Sequence, residues 1–234
     1  MRLSEFKAGH FVTVNSKLNP KIWSGSDLLP EVSHKLIKIA EKFEEFIGVD
    51  LPVVDYTVTG SNANYSWTKF SDLDLHLIVR GDVSEAMREL FSAKKALWGE
   101  HHNISIRGIP VECYVQGENE AHHSTGVYSV AHGQWIKEPS KTQPPTDDSA
   151  VERKLESIVH DVDAAISSGS LDKIESMKER ITNMRKAGLE RAGEWSTENL
   201  VFKKLRNLGV IDKLTDKIRE LEDQELSLES KNLT

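Results

Sequence analysis

Thr59-Gly60-Ser61-Asn62-Ala63-Asn64-Tyr65-Ser66-Trp67-Thr68-Lys69-Phe70-Ser71-Asp72-Leu73-Asp74-Leu75 carries two chemical features at a fixed interval. Upstream of it, Val53–Thr59 is rich in β-branched and aromatic residues, which predicts a strand ending at Gly60-Ser61. A short helix or turn is expected through Asn62–Trp67. From Asp72 to Val79 the leucines at 73, 75 and 77 alternate with Asp72, Asp74 and His76, the pattern of a strand buried on one face. Two carboxylates two residues apart on a strand project from the same side and can jointly hold a hard cation such as Mg²⁺. Gly60-Ser61 allows close backbone approach and offers N–H groups and a hydroxyl to an anion, which suits a phosphate. A phosphate beside two carboxylates requires a cation between them.

Working outward, Val32, Leu36, Ile39, Phe43 and Ile47 follow helical spacing, with Pro30 suited to the first turn and Gly48 to the end. Met87, Leu90, Phe91, Leu97 and Trp98 predict a second helix, with Ser84 as its cap. Ile104–Ile106 and Ile109–Val115, separated by Arg107-Gly108, read as a hairpin or two abutting short strands. Helices alternating with strands give an α/β (α+β) fold, a mixed sheet with helices packed on it. The proline-rich PSKTQPPTDDS stretch, residues 139–149, marks a linker. The expected layout is an irregular arm at 1–26 packed through Leu18, Ile22 and Trp23, a core domain at 27–139, a linker at 140–148 and a helical domain at 149–234. Beyond the linker, stripes at Val151–Ile166, ended by Gly169, and Leu171–Met184, ended by Gly188, precede two further helices. Ser196 or Thr197 can cap the first of these, and Gly209 separates the two. Four such helices without sustained heptads predict a small bundle rather than a coiled coil.

Composition narrows the function classes. With 38% hydrophobic and 29% charged residues in 234, the chain can bury a real core. The formal charge of −7 gives no global reason to bind long RNA or DNA, whose nonspecific affinity comes from Lys and Arg. A lone cysteine, Cys113, excludes an internal disulfide and a multi-thiolate zinc site and points to a reducing cytosol. The amino terminus lacks the apolar core of a signal peptide, and no stretch approaches the roughly 20 apolar residues that span a bilayer. A soluble, cytoplasmic protein with no membrane partner is expected.

The central segment resembles the signature of the DNA polymerase beta superfamily of nucleotidyltransferases. In that family Gly-Ser or Gly-Gly is followed, about ten residues on, by an acidic-apolar-acidic triplet. Here Gly60-Ser61, ten intervening residues and Asp72-Leu73-Asp74-Leu75 match. A third acid on a later strand is matched by Val111-Glu112-Cys113, with Glu100, Glu118 and Glu120 as the alternatives in the same region, and in many members a helical domain follows. The layout also resembles small phage-encoded nucleotidyltransferases. The segment between the motif halves lacks a second glycine pair, which leaves subfamily and substrate open. The resemblance implies an NTP substrate, ATP among the candidates, and two Mg²⁺ (or Mn²⁺) ions held by Asp72, Asp74 and Glu112. It also implies a triphosphate held by Gly60 and Ser61, and attack by an acceptor hydroxyl with loss of pyrophosphate. Enzymes of the family also reach the triphosphate with a lysine from the helical domain, which makes Lys203 a candidate against the plainer reading of a solvated helix face. The acceptor stays open: a protein hydroxyl, a small molecule, another nucleotide or an RNA end. The competing reading is a catalytically silent nucleotide-sensing or partner-binding protein on the same fold.

Other residues carry plainer readings. His76 shares the carboxylate face but reads as a partly buried, hydrogen-bonded histidine. The adjacent pairs His101-His102 and His122-His123 diverge on a strand and make a poor zinc site. Tyr65, Trp67, Tyr128 and Trp135 could stack on a base, though packing is the commoner role for such residues. Cys113 is expected to face the core, away from Glu112.

Overall fold

Leu73, Leu75 and Leu77 are fully buried, while Asp72, Asp74 and His76 between them keep partial exposure. This alternation belongs to β4 of the computed structural model, which describes residues 14–122, 124–141 and 147–227. In chain order the first unit contains β1 (Trp23–Ser24), β2 (Asp27–Leu28), α1 (Pro30–Ile47), β3 (Val53–Thr59), a 3-10 turn (Ser61–Ala63) and β4 (Leu73–Val79). It continues with α2 (Glu85–His101), β5 (Ser105–Ile106), β6 (Ile109–Gly117), β7 (Val127–Ser129) and β8 (Gln134–Lys137). The main sheet has the order β5-β6-β4-β3-β7-β8. Among the described strands only β4 and β6 pair in parallel, and α2 supplies the crossover that such a connection requires. The expected mixed α/β sheet with packed helices is therefore observed.

The local signals act as the sequence predicts. Pro30 opens α1, and Gly48 closes it in the left-handed conformation. Val32, Leu36, Ala40, Phe43 and Ile47 form the buried face of α1. The Ser84 side chain accepts from the Met87 N–H at the start of α2. Arg107 and Gly108, both at positive φ, make the tight turn that joins β5 to β6.

Two regions differ from expectation. The arm is not wholly irregular: among its described residues, β1 pairs with β2 across the boundary at residue 26, and Leu18, Ile22 and Trp23 are buried as expected. Val127–Ser129 and Gln134–Lys137, not assigned as strands above, extend the sheet beyond β3. Residues 1–13 of the arm, His123 and residues 142–146 of the linker lie outside the described residues.

The second unit, residues 147–227, has its own core and consists of α3 (Asp148–Ser167), α4 (Leu171–Ala192), a 3-10 turn (Gly193–Trp195), α5 (Thr197–Asn207) and α6 (Val210–Leu226). Asp147 caps α3, and Ser196 rather than Thr197 caps α5. None of the described helices is long and apolar enough to cross a membrane. Gly188 does not end its helix. Instead α4 runs on to Ala192, because Gly188 is where α4 meets the start of α5: a Cβ there would lie 2.5 Å from Glu198 Cβ and 2.8 Å from Ser196 Oγ. Helix propensity alone favours Gly188→Ala by about 1 kcal/mol. We expect the opposite sign, a destabilisation of about 1–3 kcal/mol from overpacking, read as a lowered midpoint in urea denaturation.

Candidate active site

Asp74 on β4 pairs directly with Glu112 on β6, and Thr59 at the end of β3 is the partner of Asp74 on its other side. The pleat that buries Leu73, Leu75 and Cys113 therefore turns Asp74 and Glu112 to the opposite face, with Asp72 just before β4 on the same side. One carboxylate oxygen from each of Asp72, Asp74 and Glu112 lies within 4.8 Å of the others, and all three residues are half-buried. Three anionic oxygens so close suit a small hard cation, whose charge would offset their repulsion.

The glycine turn is built against this cluster. Gly60 has φ 72° and ψ −159°, a conformation open to glycine, and a Cβ at this position would lie 1.9 Å from Asp74 Oδ2. The Gly60 N–H donates to Ser124 Oγ at 3.1 Å, and the Ser124 hydroxyl donates in turn to the Gly126 carbonyl. Ser61 donates to Ser71 Oγ at 2.9 Å, tying the two motif halves together. The fully buried Asn62 donates to the Asp72 carbonyl at 2.6 Å and accepts at its own carbonyl from the Trp23 indole. These bonds fix the backbone that carries Asp72 relative to the turn.

Glu112 is held by two side-chain donors. Lys95 Nζ and the Tyr114 hydroxyl both donate to its Oε2, each at 2.7 Å. Burial pushes its carboxyl upward, but the Lys95, Tyr114 and Asp72 interactions outweigh it, so its pKa lies below the ordinary value. Burial, then Asp74 and Glu112, push the Tyr114 phenol well above its usual range, so it stays a donor. Beneath it the His76 ring stacks on Tyr114 at 4.8 Å between centroids. Burial lowers the His76 pKa to about 4 even though the Gln116 contact raises it, and the ring is neutral at pH 7. Because Gln116 Oε1 can only accept, His76 donates from Nδ1 and receives the Thr59 hydroxyl at Nε2. His76 is thus the packed, hydrogen-bonded residue expected above.

The expected site residues divide accordingly. Gly60, Ser61, Asp72, Asp74 and Glu112 meet at one end of β3, β4 and β6. Lys203 lies on α5 of the second unit. Tyr128 is buried edge-on against Trp23, and Trp135 stacks on Trp23 at 4.8 Å, so both serve packing. Cys113 faces the core, where burial pushes its thiol up to about 12. The Trp98 ring lies 4.1 Å from His102, which belongs to no metal-ligating group among the described residues. Lys95, Ser71 and Ser124 are not singled out by sequence, because no local pattern encodes contacts across 10 to 64 residues; Tyr114 lies two residues from Glu112 on the same face of β6, and alternation alone could have found it.

Gly60→Ala is expected to leave the sheet folded while forcing the Asp74 carboxylate aside. Calorimetry should show Mn²⁺ affinity reduced about tenfold or more, as for other disturbances of ligand geometry. Gly25→Ala is the control, since it carries a similar positive φ with nothing within 4 Å of its Cβ position.

No family model matches the chain, and no curated protein does. Among solved structures the chain is similar to the STING-associated CdnE c-di-GMP synthase from Capnocytophaga granulosa, at 11% identity over 85% of this chain and 83% of that one. The TM-score of that superposition is 0.22.

Proposed function

We propose that the chain is a divalent-metal-dependent nucleotidyltransferase, moving a nucleoside monophosphate from an NTP to an acceptor hydroxyl and releasing pyrophosphate. The observation that carries this reading is the contact between the two motif halves: the glycine of the Gly60-Ser61 turn lies against Asp74, within a cluster that also holds Asp72 and Glu112. A phosphate-sized anion at the turn would face three carboxylates, an arrangement that only cations can make favourable. Mg²⁺ or Mn²⁺ bound there would neutralise charge that builds on the phosphoryl oxygens.

The chain's own residues have distinct parts in this proposal. Asp72 and Asp74 hold the cations and through them the triphosphate. Gly60, without a side chain, admits the Asp74 carboxylate beside the turn, and Ser61 would turn its hydroxyl from Ser71 to the phosphates. Glu112 serves the acceptor side, either as a cation ligand or as the base that takes the hydroxyl proton.

Two measurements test the reading. NTP binding followed by calorimetry should require Mg²⁺, and equal affinity in EDTA would contradict the metal-bridged arrangement. Asp72→Asn and Asp74→Asn should each reduce transfer of label from the NTP α-phosphate by about a hundredfold or more, the scale of losing a group that stabilises transition-state charge. Their melting temperatures in EDTA should stay level or rise, because each substitution relieves repulsion in the empty cluster. Full transfer by both variants would end the proposal. Clear Mg-NTP binding without transfer to any acceptor tried would favour the sensing alternative.

A further inference from the structure

The Lys95–Glu112 pair is unusual in how it is assembled. Lys95 comes from α2 and Glu112 from β6, and their side chains are 32% and 41% exposed. An ion pair so open to water contributes little to stability, so stability alone accounts poorly for what surrounds it. The Lys95 ammonium also lies 3.6 Å from the Tyr114 ring centroid. Tyr114 in turn donates to the same Glu112 oxygen and rests on His76, which Thr59 and Gln116 pin from both sides. Ammonium, phenol and carboxylate thus form a closed triangle on a braced floor. Both donors meet at Oε2.

We propose that Lys95, together with Tyr114, is a positioning residue that fixes the rotamer of Glu112 by clamping Oε2, so that Oε1 is the oxygen offered to a cation shared with Asp72 and Asp74. This rests on the metal-dependent reading above. A glutamate has three side-chain torsions to lose, and a carboxylate held at one oxygen is oriented before the cation arrives. Lys95 also opposes the negative charge of the cluster, and this second effect has the opposite consequence for metal binding. If charge neutralisation were all that Lys95 did, removing it would tighten cation binding. If it positions Glu112, removing it loosens binding through that carboxylate.

The experiment is a double-mutant cycle on the full chain. Lys95→Met keeps the apolar stem and removes the donor, Lys95→Arg keeps charge and donor, and Tyr114→Phe removes only the hydroxyl. Each is made alone and in a Glu112→Gln background, with melting temperature as the check on folding. Mn²⁺ binding is measured without nucleotide by paramagnetic resonance, and kcat and KM for the NTP are measured where transfer occurs. We expect Lys95→Met and Tyr114→Phe each to weaken Mn²⁺ binding and lower kcat by roughly tenfold to a hundredfold, the range for groups that orient a metal ligand. KM for the NTP should stay within about twofold, because Asp72 and Asp74 are untouched. Lys95→Arg should recover most of the loss, and neither Lys95→Met nor Tyr114→Phe should weaken Mn²⁺ binding further once Glu112 is Gln. Tighter or unchanged Mn²⁺ binding in Lys95→Met, or an equal loss in the Glu112→Gln background, overturns the positioning role. Absence of transfer in the wild type, with the Mn²⁺ cycle behaving as stated, would instead count against the proposed reaction while upholding the clamp.

Discussion

The parallel pairing of β4 with β6, in the register that sets Asp74 beside Glu112, is the constraint on which the rest of the first unit depends. A strand offers its side chains alternately to two faces, so the register that buries Leu73, Leu75 and Cys113 must place Asp74 and Glu112 together on the other. A slip of one residue would bury the carboxylates and expose the leucines. The hydrophobic effect, acting on one face, thereby holds like charges together on the other. The parallel arrangement needs a crossover, and α2 supplies it while carrying Lys95 to the edge of the cluster.

Keeping three carboxylates within 4.8 Å of one another costs repulsion, and their surroundings show how it is met. Half-exposure leaves solvent around Asp72 and Asp74, while Glu112 receives an ammonium and a phenol. The floor under Glu112 is aromatic and neutral: a histidine whose proton is fixed by Gln116 supports a tyrosine whose proton is fixed by Glu112. This is a preorganised polar network, satisfied at each described link, and such networks favour one geometry over several near-equal ones.

Small residues set the approach of backbone to side chain. Gly60 admits Asp74, and Gly126 admits the Ala63 carbonyl, which would lie 1.9 Å from a Cβ at residue 126. Ser124, between these contacts, joins the loop before β7 to the turn after β3. In the second unit Gly188 plays the same part for α4 and α5, inside a helix where its conformational freedom is a cost rather than a need. A glycine marked by close approach and a glycine marking a helix end look alike in sequence, which is why Gly188 was read as a stop.

The sequence by itself determined the elements whose cause is local or periodic. The 3.6-residue stripe and end residues defined α1, alternation defined β4, and Ser84 defined the start of α2, because each signal lies within a few residues of what it controls. The spacing of Gly60-Ser61 from Asp72 and Asp74 picked out four residues that meet in space, and the apolar neighbours of Glu112 picked out a fifth. Tertiary structure alone decided the parallel register that joins Asp74 to Glu112, the addition of β7 and β8 to the sheet, and the docking of Trp135 on Trp23. It also decided that Lys95, one of the two lysines on α2, is the one at the carboxylate. These outcomes depend on which surfaces exclude water together and on which donors then fall within 3 Å, quantities set by packing between distant segments and written into no short stretch of chain.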